Sequence, residues 1–543
     1  MKKTIAGKAG FAAALFLTAA AVFADPPPGR KLFEKPGYAE TRPDPVNRTE
    51  LTAVFSGDET ELDFRKSYLA SEAQIFTALY EGLFSYNPLT LEPVPAAASS
   101  WRLSEDKKVW TFTIRQNAKY WNGDPLRAED FRAAWLSLLD PVKNSPYSSL
   151  YDIIEGARDY RLGLIRDPGK VGISVPDSRT LVVTLNAPAS FFPSMLCHHS
   201  FSPVHPSMVN ADNWTSPLSN GPFYVSENEN GFLVLVKNRN YWDAGRVALE
   251  KITIRFTDDD SEATAMWNSG EARWIAGNVN LETLTDRSGI VVNPMFATHY
   301  YYIRSEGPFR DYRIRRALAL VLPWEEIRGN HYLPAKTLVY PIPGYPELKA
   351  VETNIEEAQK LLVEAGFPKG VGLPELVIRI TPSEDADRIG KLMAAAWMDK
   401  LGIPVKLDVV PYNRYFEALK TKDYNVGSTT WIGDFADPYT FLQMWRRDSN
   451  LNDSGHNDAD YEALMEQSMA EEGDKRLETL GAAEQMLLDR GTVLPISYTP
   501  ALNIVDTDEL DGWFPNALDI HPFKYLSFKA FKPLPGVALG SIR

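Results

Sequence analysis

Residues 109–141 read VWTFTIRQNAKYWNGDPLRAEDFRAAWLSLLDP. The first seven alternate. Trp110, Phe112 and Ile114 face one side while Thr111, Thr113 and Arg115 face the other, which predicts a half-buried strand. WNGDP at 121–125 is turn chemistry. From Ala128 the period lengthens: Phe131, Trp135 and Leu139 recur at i, i+4 and i+8, which predicts an amphipathic helix closed by Asp140-Pro141. The same interleaving runs through the chain. Strands are predicted at 51–56, 180–185, 232–236, 251–256, 376–380 and 405–410. A helix is predicted to run to about Phe84 on Ile75, Leu79 and Leu83. Others fall at 261–269, 311–322, 355–365, 385–400, 412–420, 458–470 and 474–489. This pattern predicts mixed α/β domains.

The chain has 543 residues, three or four domains' worth at about 150 residues each. It is 44% hydrophobic and 24% charged, ordinary folded composition. The formal charge of −14 argues against general binding of a nucleic-acid backbone, which requires a basic footprint. A single cysteine, Cys197, excludes an internal disulfide framework and any Cys-rich metal site. The 24 Tyr, 26 Phe and 13 Trp suit broad apolar surfaces or clefts.

The N-terminus reads as an export signal, residues 1–24. Lys2, Lys3 and Lys8 form a basic region, Ala9 to Ala24 is mostly apolar, and Val22 and Ala24 are small enough for a cleavage site. Removing three lysines and no acids moves the formal charge from −14 to −17. No cysteine ends the leader, so no lipid anchor is expected. The expected location is a periplasm, with free secretion the alternative. Residues 25–49 are proline-rich and read as an extended linker.

No P-loop, H-E-x-x-H or G-x-S-x-G motif stands out. Cys197, His198, His199 and His205 cluster in sequence, but adjacent residues of an extended strand point apart, which disfavours a metal. A Cys–His nucleophile is disfavoured by the apolar setting of Cys197. Asp258 to Asp260 read as a turn and helix cap before Ser261. The most informative stretch is TWIGDFADPYTFLQMW, 430–445. Asp434 and Asp437 sit there among aromatic residues. A carboxylate on an apolar wall requires a partner. Pairing with a cationic ligand group and capping by backbone N–H groups are equally open readings.

The chain resembles the large ABC-transporter solute-binding proteins of family 5, the peptide- and nickel-type periplasmic binding proteins. The resemblance rests on ALYEGLF (78–84), residues 110–141, NGPFYV (220–225), KNRNYWD (237–243), RIRRALAL (313–320), AQKLLVEAGF (358–367), WIGDFADPYTFL (431–442) and VLPISY (493–498). It covers nearly the whole mature chain. It implies a two-lobed α/β periplasmic-binding-protein fold, class II or cluster C-like, with a hinge and an inserted domain. One lobe would comprise 50–82, 207–298 and 502–543, the insertion 83–206, and the other lobe 299–501.

NSPYSS (144–149) and the W-x-x-D segment resemble the oligopeptide-binding branch most. In that branch the position of Asp434 pairs with a peptide's ammonium group. Tyr147 would line the opposite side of the cleft, Ala70, Ser71, Glu72, Thr430 and Ile432 would hold an extended ligand, and Trp431, Tyr412 and Tyr302 would be aromatic walls. The arginines that bind a ligand carboxylate in that branch are replaced by Leu419 and Ser428, with Arg414, Lys420 or Lys422 as substitutes. Leu62-Asp63-Phe64 and Pro323-Trp324 also depart from the family pattern. The resemblance implies a monomeric, non-enzymatic periplasmic component of an ABC importer. It would need no cofactor or metal, bind short peptides, and pass them to inner-membrane permease subunits. Rival ligands are a dipeptide, a murein peptide, an oligosaccharide or a nickel chelate, the last needing a cleft histidine such as His299. A rival class is a secreted hydrolase using Asp434 and Asp437.

Overall fold

The computed structural model describes residues 30–31, 49–57, 60–229 and 231–529. The expected export signal, most of the expected linker and residues 530–543 of the expected first lobe lie outside the described residues. Within the expected linker, Arg30–Lys31 form a short strand against Val291–Val292, so this part docks on the sheet instead of running free.

One eleven-stranded mixed sheet dominates the described residues. Its order from one edge is Val405–Val409, Leu376–Ile380, Val426–Ile432, Ile290–Ile303, Val493–Val505, Trp274–Ala276, Glu50–Phe55, Lys251–Phe256, Phe232–Lys237 and Phe223–Glu229, with Arg30–Lys31 off this path. The two long strands Ile290–Ile303 and Val493–Val505 are antiparallel and cross the molecule. At one end they meet Trp274–Ala276, and at the other Val426–Ile432. Their register shifts between Pro294 and Thr298, beside the facing pair Pro294 and Pro500. Proline has no N–H to give the ladder, so pairing is weakest there. The expected lobe boundaries at 298 and 501 fall on this stretch.

Residues 83–206 carry their own four-stranded antiparallel sheet, Ala98–Leu103, Val109–Ile114, Thr180–Thr184 and Ile173–Asp177 in that order. Its second strand alternates in burial as the sequence predicts, and the helix Ala128–Leu138 follows. One apolar core joins this unit to the Glu50–Phe55 end of the large sheet. Another, around Ile378, Met393, Trp397 and Leu494, lies within 301–496.

Two local expectations fail. The first helix ends at Leu79, not near Phe84. Its final carbonyl accepts from Gly221 N at 2.8 Å, and any Cβ on Gly221 would sit 2.5 Å from the Leu79 carbonyl carbon. Tyr80 is extended, and Gly82 and Leu83 pair with Ala96 and Ala97 instead. Leu83 is buried by that pairing and not by helical periodicity. Residues 197–199 also do not form a strand, although His198 itself has extended backbone angles. They lie between the single helical turns Phe192–Met195 and His199–Phe201, and the rings of His198 and His199 stand 4.0 Å apart.

Candidate functional site

A cavity of about 310 Å³ opens between the start of the helix Ala70–Leu79, the 80–86 turn, the His198–His199 pair, the strand Val426–Ile432 and the 518–524 segment. The strand Val426–Ile432 pairs on one side with Ile290–Ile303 over seven residues. On the other it pairs only at Val426, with Ile378. Among the described residues, Thr429 to Ile432 therefore form an open sheet edge along the cavity. An open edge presents backbone donors and acceptors to any extended chain laid against it. Alternation turns Trp431, with Tyr300 and Tyr302 of the neighbouring strand, toward the cavity.

Asp434 follows this edge after Gly433. A Cβ at Gly433 would lie 2.5 Å from the Phe296 ring, so only glycine permits the close turn. The Asp434 carboxylate is buried and lines the cavity. Tyr147 Oη donates to Oδ1 at 3.0 Å and Thr440 Oγ1 donates to Oδ2 at 2.8 Å. Burial pushes its pKa up to about 7, against the lowering effect of those two hydroxyls. His198 Nε2 lies 3.7 Å from Oδ1. Burial, and secondarily His199, hold the His198 imidazole well below its ordinary range, so it is neutral near pH 7. No Lys or Arg ion pair to Asp434 is found among the described residues. Against the backbone-capped reading, the two hydroxyls are the carboxylate's main partners and its own backbone N–H contributes least.

Asp437 differs. Arg476 grips it with two hydrogen bonds, 2.7 and 2.9 Å, and it does not line the cavity. The two carboxylates expected of a hydrolase are therefore not presented together. His299 faces away from Tyr300 and Tyr302 and pairs with Thr430 Oγ1 at 3.2 Å. No group of three metal-ligating side chains occurs among the described residues.

Of the sequence-predicted residues, Asp434, Trp431, Tyr147, Thr430, Ile432, Ala70 and Tyr302 line one cavity. Three do not. Ser71 lies one residue into the helix. Glu72 turns inward, accepting from Glu61 N at 2.8 Å and from Ser67 Oγ. Tyr412 begins the helix Tyr412–Thr421 and is 58% exposed. That helix buries Tyr415 and Leu419, and Phe416, one turn beyond Tyr412, takes the wall position. Sequence reasoning missed Tyr86, Phe416, Trp445 and Lys524 as lining residues. It noticed His198 and His199 only as a cluster. Their adjacency was the available signal, and the assumed regular strand concealed it.

At the arginine-replaced positions, Leu419 is buried and the Ser428 backbone exchanges hydrogen bonds with Tyr415 Oη. Lys420 lines the cavity, its Nζ bonding both Asp453 oxygens at 2.8 and 3.0 Å. Lys422 caps the helix and does not reach the cavity, and Arg414 is exposed.

The 83–206 unit also touches the 434–450 segment directly. Tyr86 Oη donates to the Asp434 carbonyl at 2.8 Å, Arg158 Nη2 to Asp448 Oδ2 at 2.5 Å, and Asn450 Nδ2 to the Ser145 carbonyl at 2.6 Å. These bonds hold the two sides of the cavity together.

The family model for bacterial extracellular solute-binding proteins, family 5 Middle, matches residues 92–453. The Bacillus subtilis oligopeptide-binding protein OppA is 30% identical, over 77% of this chain and 82% of its own. The Escherichia coli periplasmic murein peptide-binding protein MppA is 30% identical, over 84% and 88%. The solved structure of MppA, 26% identical, covers 89% of this chain and 99% of its own with a TM-score of 0.77. Its unliganded open form, 27% identical over 89% and 98%, gives only 0.61.

Proposed function

The chain belongs to the bacterial extracellular solute-binding proteins of family 5, and on that premise we propose that it is the periplasmic substrate-binding component of an ABC importer, capturing short peptides between its lobes and delivering them to a membrane permease. The observation that carries this reading is Asp434: a buried carboxylate at a cavity wall, held by neutral hydroxyls and lacking a cationic partner among the described residues. A ligand ammonium supplies that missing charge. The adjoining open edge at Thr429 to Ile432 bonds to a peptide backbone whatever its side chains. Trp431, Tyr300 and Tyr302 cover the apolar remainder.

The hinge is the proline-interrupted crossing of Ile290–Ile303 and Val493–Val505. Ligand binding favours the closed arrangement to the extent that it contacts both sides. The Asp434 site qualifies, because Tyr147 from the 83–206 unit meets it. Lys420 is the candidate for the ligand's far carboxylate, exchanging Asp453 for the ligand. The protein acts as a monomer.

Native mass spectrometry of the purified protein, followed by denaturation and analysis of released material, tests the function. Short peptides of mixed sequence support it. A single non-peptide mass, or no thermal shift with a peptide library, refutes it.

A further inference from the structure

The cavity holds a second ionic pole besides Asp434. Lys524 lies in the helical turn Phe523–Tyr525 and lines the cavity, its side chain only 11% exposed. Its Nζ makes one hydrogen bond among the described residues, to Glu81 Oε2 at 3.1 Å. Lys524 is the ion-pair partner of the buried Glu81, which has two further donors. Trp242 Nε1 donates to Oε1 at 2.5 Å, and Tyr241 Oη donates to Oε2. An ammonium has three donors, so two of Lys524's remain to be placed in a cavity whose other lysine, Lys420, is bound at both oxygens of Asp453.

We infer that Lys524 is an anion subsite for a carboxylate carried near the ligand's amino end, an acidic side chain at one of the first two positions. This rests on the peptide-binding reading above and narrows it to a ligand class. Lys524 bonds Glu81 and Tyr86 donates to the Asp434 carbonyl, so the single turn 80–86 carries a partner of each. The two poles thus share one end of the cavity. Asp434 and Lys524 come from segments remote in sequence, 430–445 and 518–525. A ligand with both charges ties those segments together.

The test is calorimetric titration of the full chain with tripeptides in which Glu, or its neutral isostere Gln, is scanned through each position of an alanine background. Wild type is expected to favour Glu over Gln by about tenfold at the first or second position, the range of one charge-assisted hydrogen bond. Lys524→Met removes that preference and leaves Gln-peptide affinity near wild type. Lys524→Arg retains the preference. No Glu preference in wild type, a preference confined to the last position, or one that survives Lys524→Met overturns the inference while the peptide-binding reading stands. If Lys524→Met does not fold, the wild-type position scan together with Lys524→Arg decides. If wild type binds none of the peptides, both readings fall.

Discussion

Asp434 is held ready for a cation by two hydroxyls that satisfy its geometry without neutralising its charge. Asp434→Asn keeps the shape and removes the charge, so it is expected to weaken binding of peptides with a free amino terminus by about 2–5 kcal/mol. Calorimetry with a free and an N-acetylated peptide checks this. The acetylated peptide should bind weakly to both proteins, and an unchanged affinity for the free peptide would remove Asp434 from the site. Its pKa of about 7 in the empty protein also makes binding proton-linked. An ammonium requires the ionised carboxylate, so near pH 6 peptide binding expels a proton and affinity falls as pH drops below 7. Titrations in buffers of different ionisation enthalpy should show proton release approaching one at pH 6 and vanishing by pH 8. The sign for folding follows from the same shift. The folded state holds this proton where the unfolded chain, at the ordinary 3.8, has lost it. This group's contribution to stability is therefore fully present below about pH 4 and is lost as pH rises through 7.

The elements that matter most are the two crossing strands and the segments that meet over the cavity. Strand alternation at 109–115 and the helices from 261 to 489 were legible, because each buries one face and the period shows it. Ile290–Ile303 and Val493–Val505 were not. Both are buried along most of their length, so their sequences do not alternate, and the prolines within them read as breaks. Those prolines mark the expected hinge. Hydrogen exchange should be faster at the amides flanking Pro294 and Pro500 than in either half of the same strands, and peptide should slow it. Equal protection along both strands would place the hinge elsewhere. Between the 83–206 unit and the 434–450 segment, Arg158 bonds Asp448 at a partly exposed site. Arg158→Met is expected to weaken peptide binding about two- to fivefold through faster dissociation, consistent with less than about 1 kcal/mol for such a pair. Stopped-flow rates check which step changes.

At the scale of the molecule, binding that requires both sides of the cavity appears as compaction and as stability. Peptide at a hundred times its Kd is expected to add about 2.7 kcal/mol to the stability of the folded form. A raised Tm and a smaller radius of gyration by solution scattering would report the two effects separately. A raised Tm without contraction would mean that the empty protein already rests closed. By itself the sequence determined the α/β class, most helices, the family and the position of Asp434. Those depend on local periodicity and on short motifs whose spacing survives in the primary chain. Only the tertiary structure decided that Asp437 belongs to Arg476 and Asp434 to the cavity, that Phe416 and not Tyr412 forms the wall, and that Lys524 faces the same space. Those outcomes turn on which residues meet across hundreds of positions, and burial, charge pairing and an open strand edge exist only once the chain has brought them together.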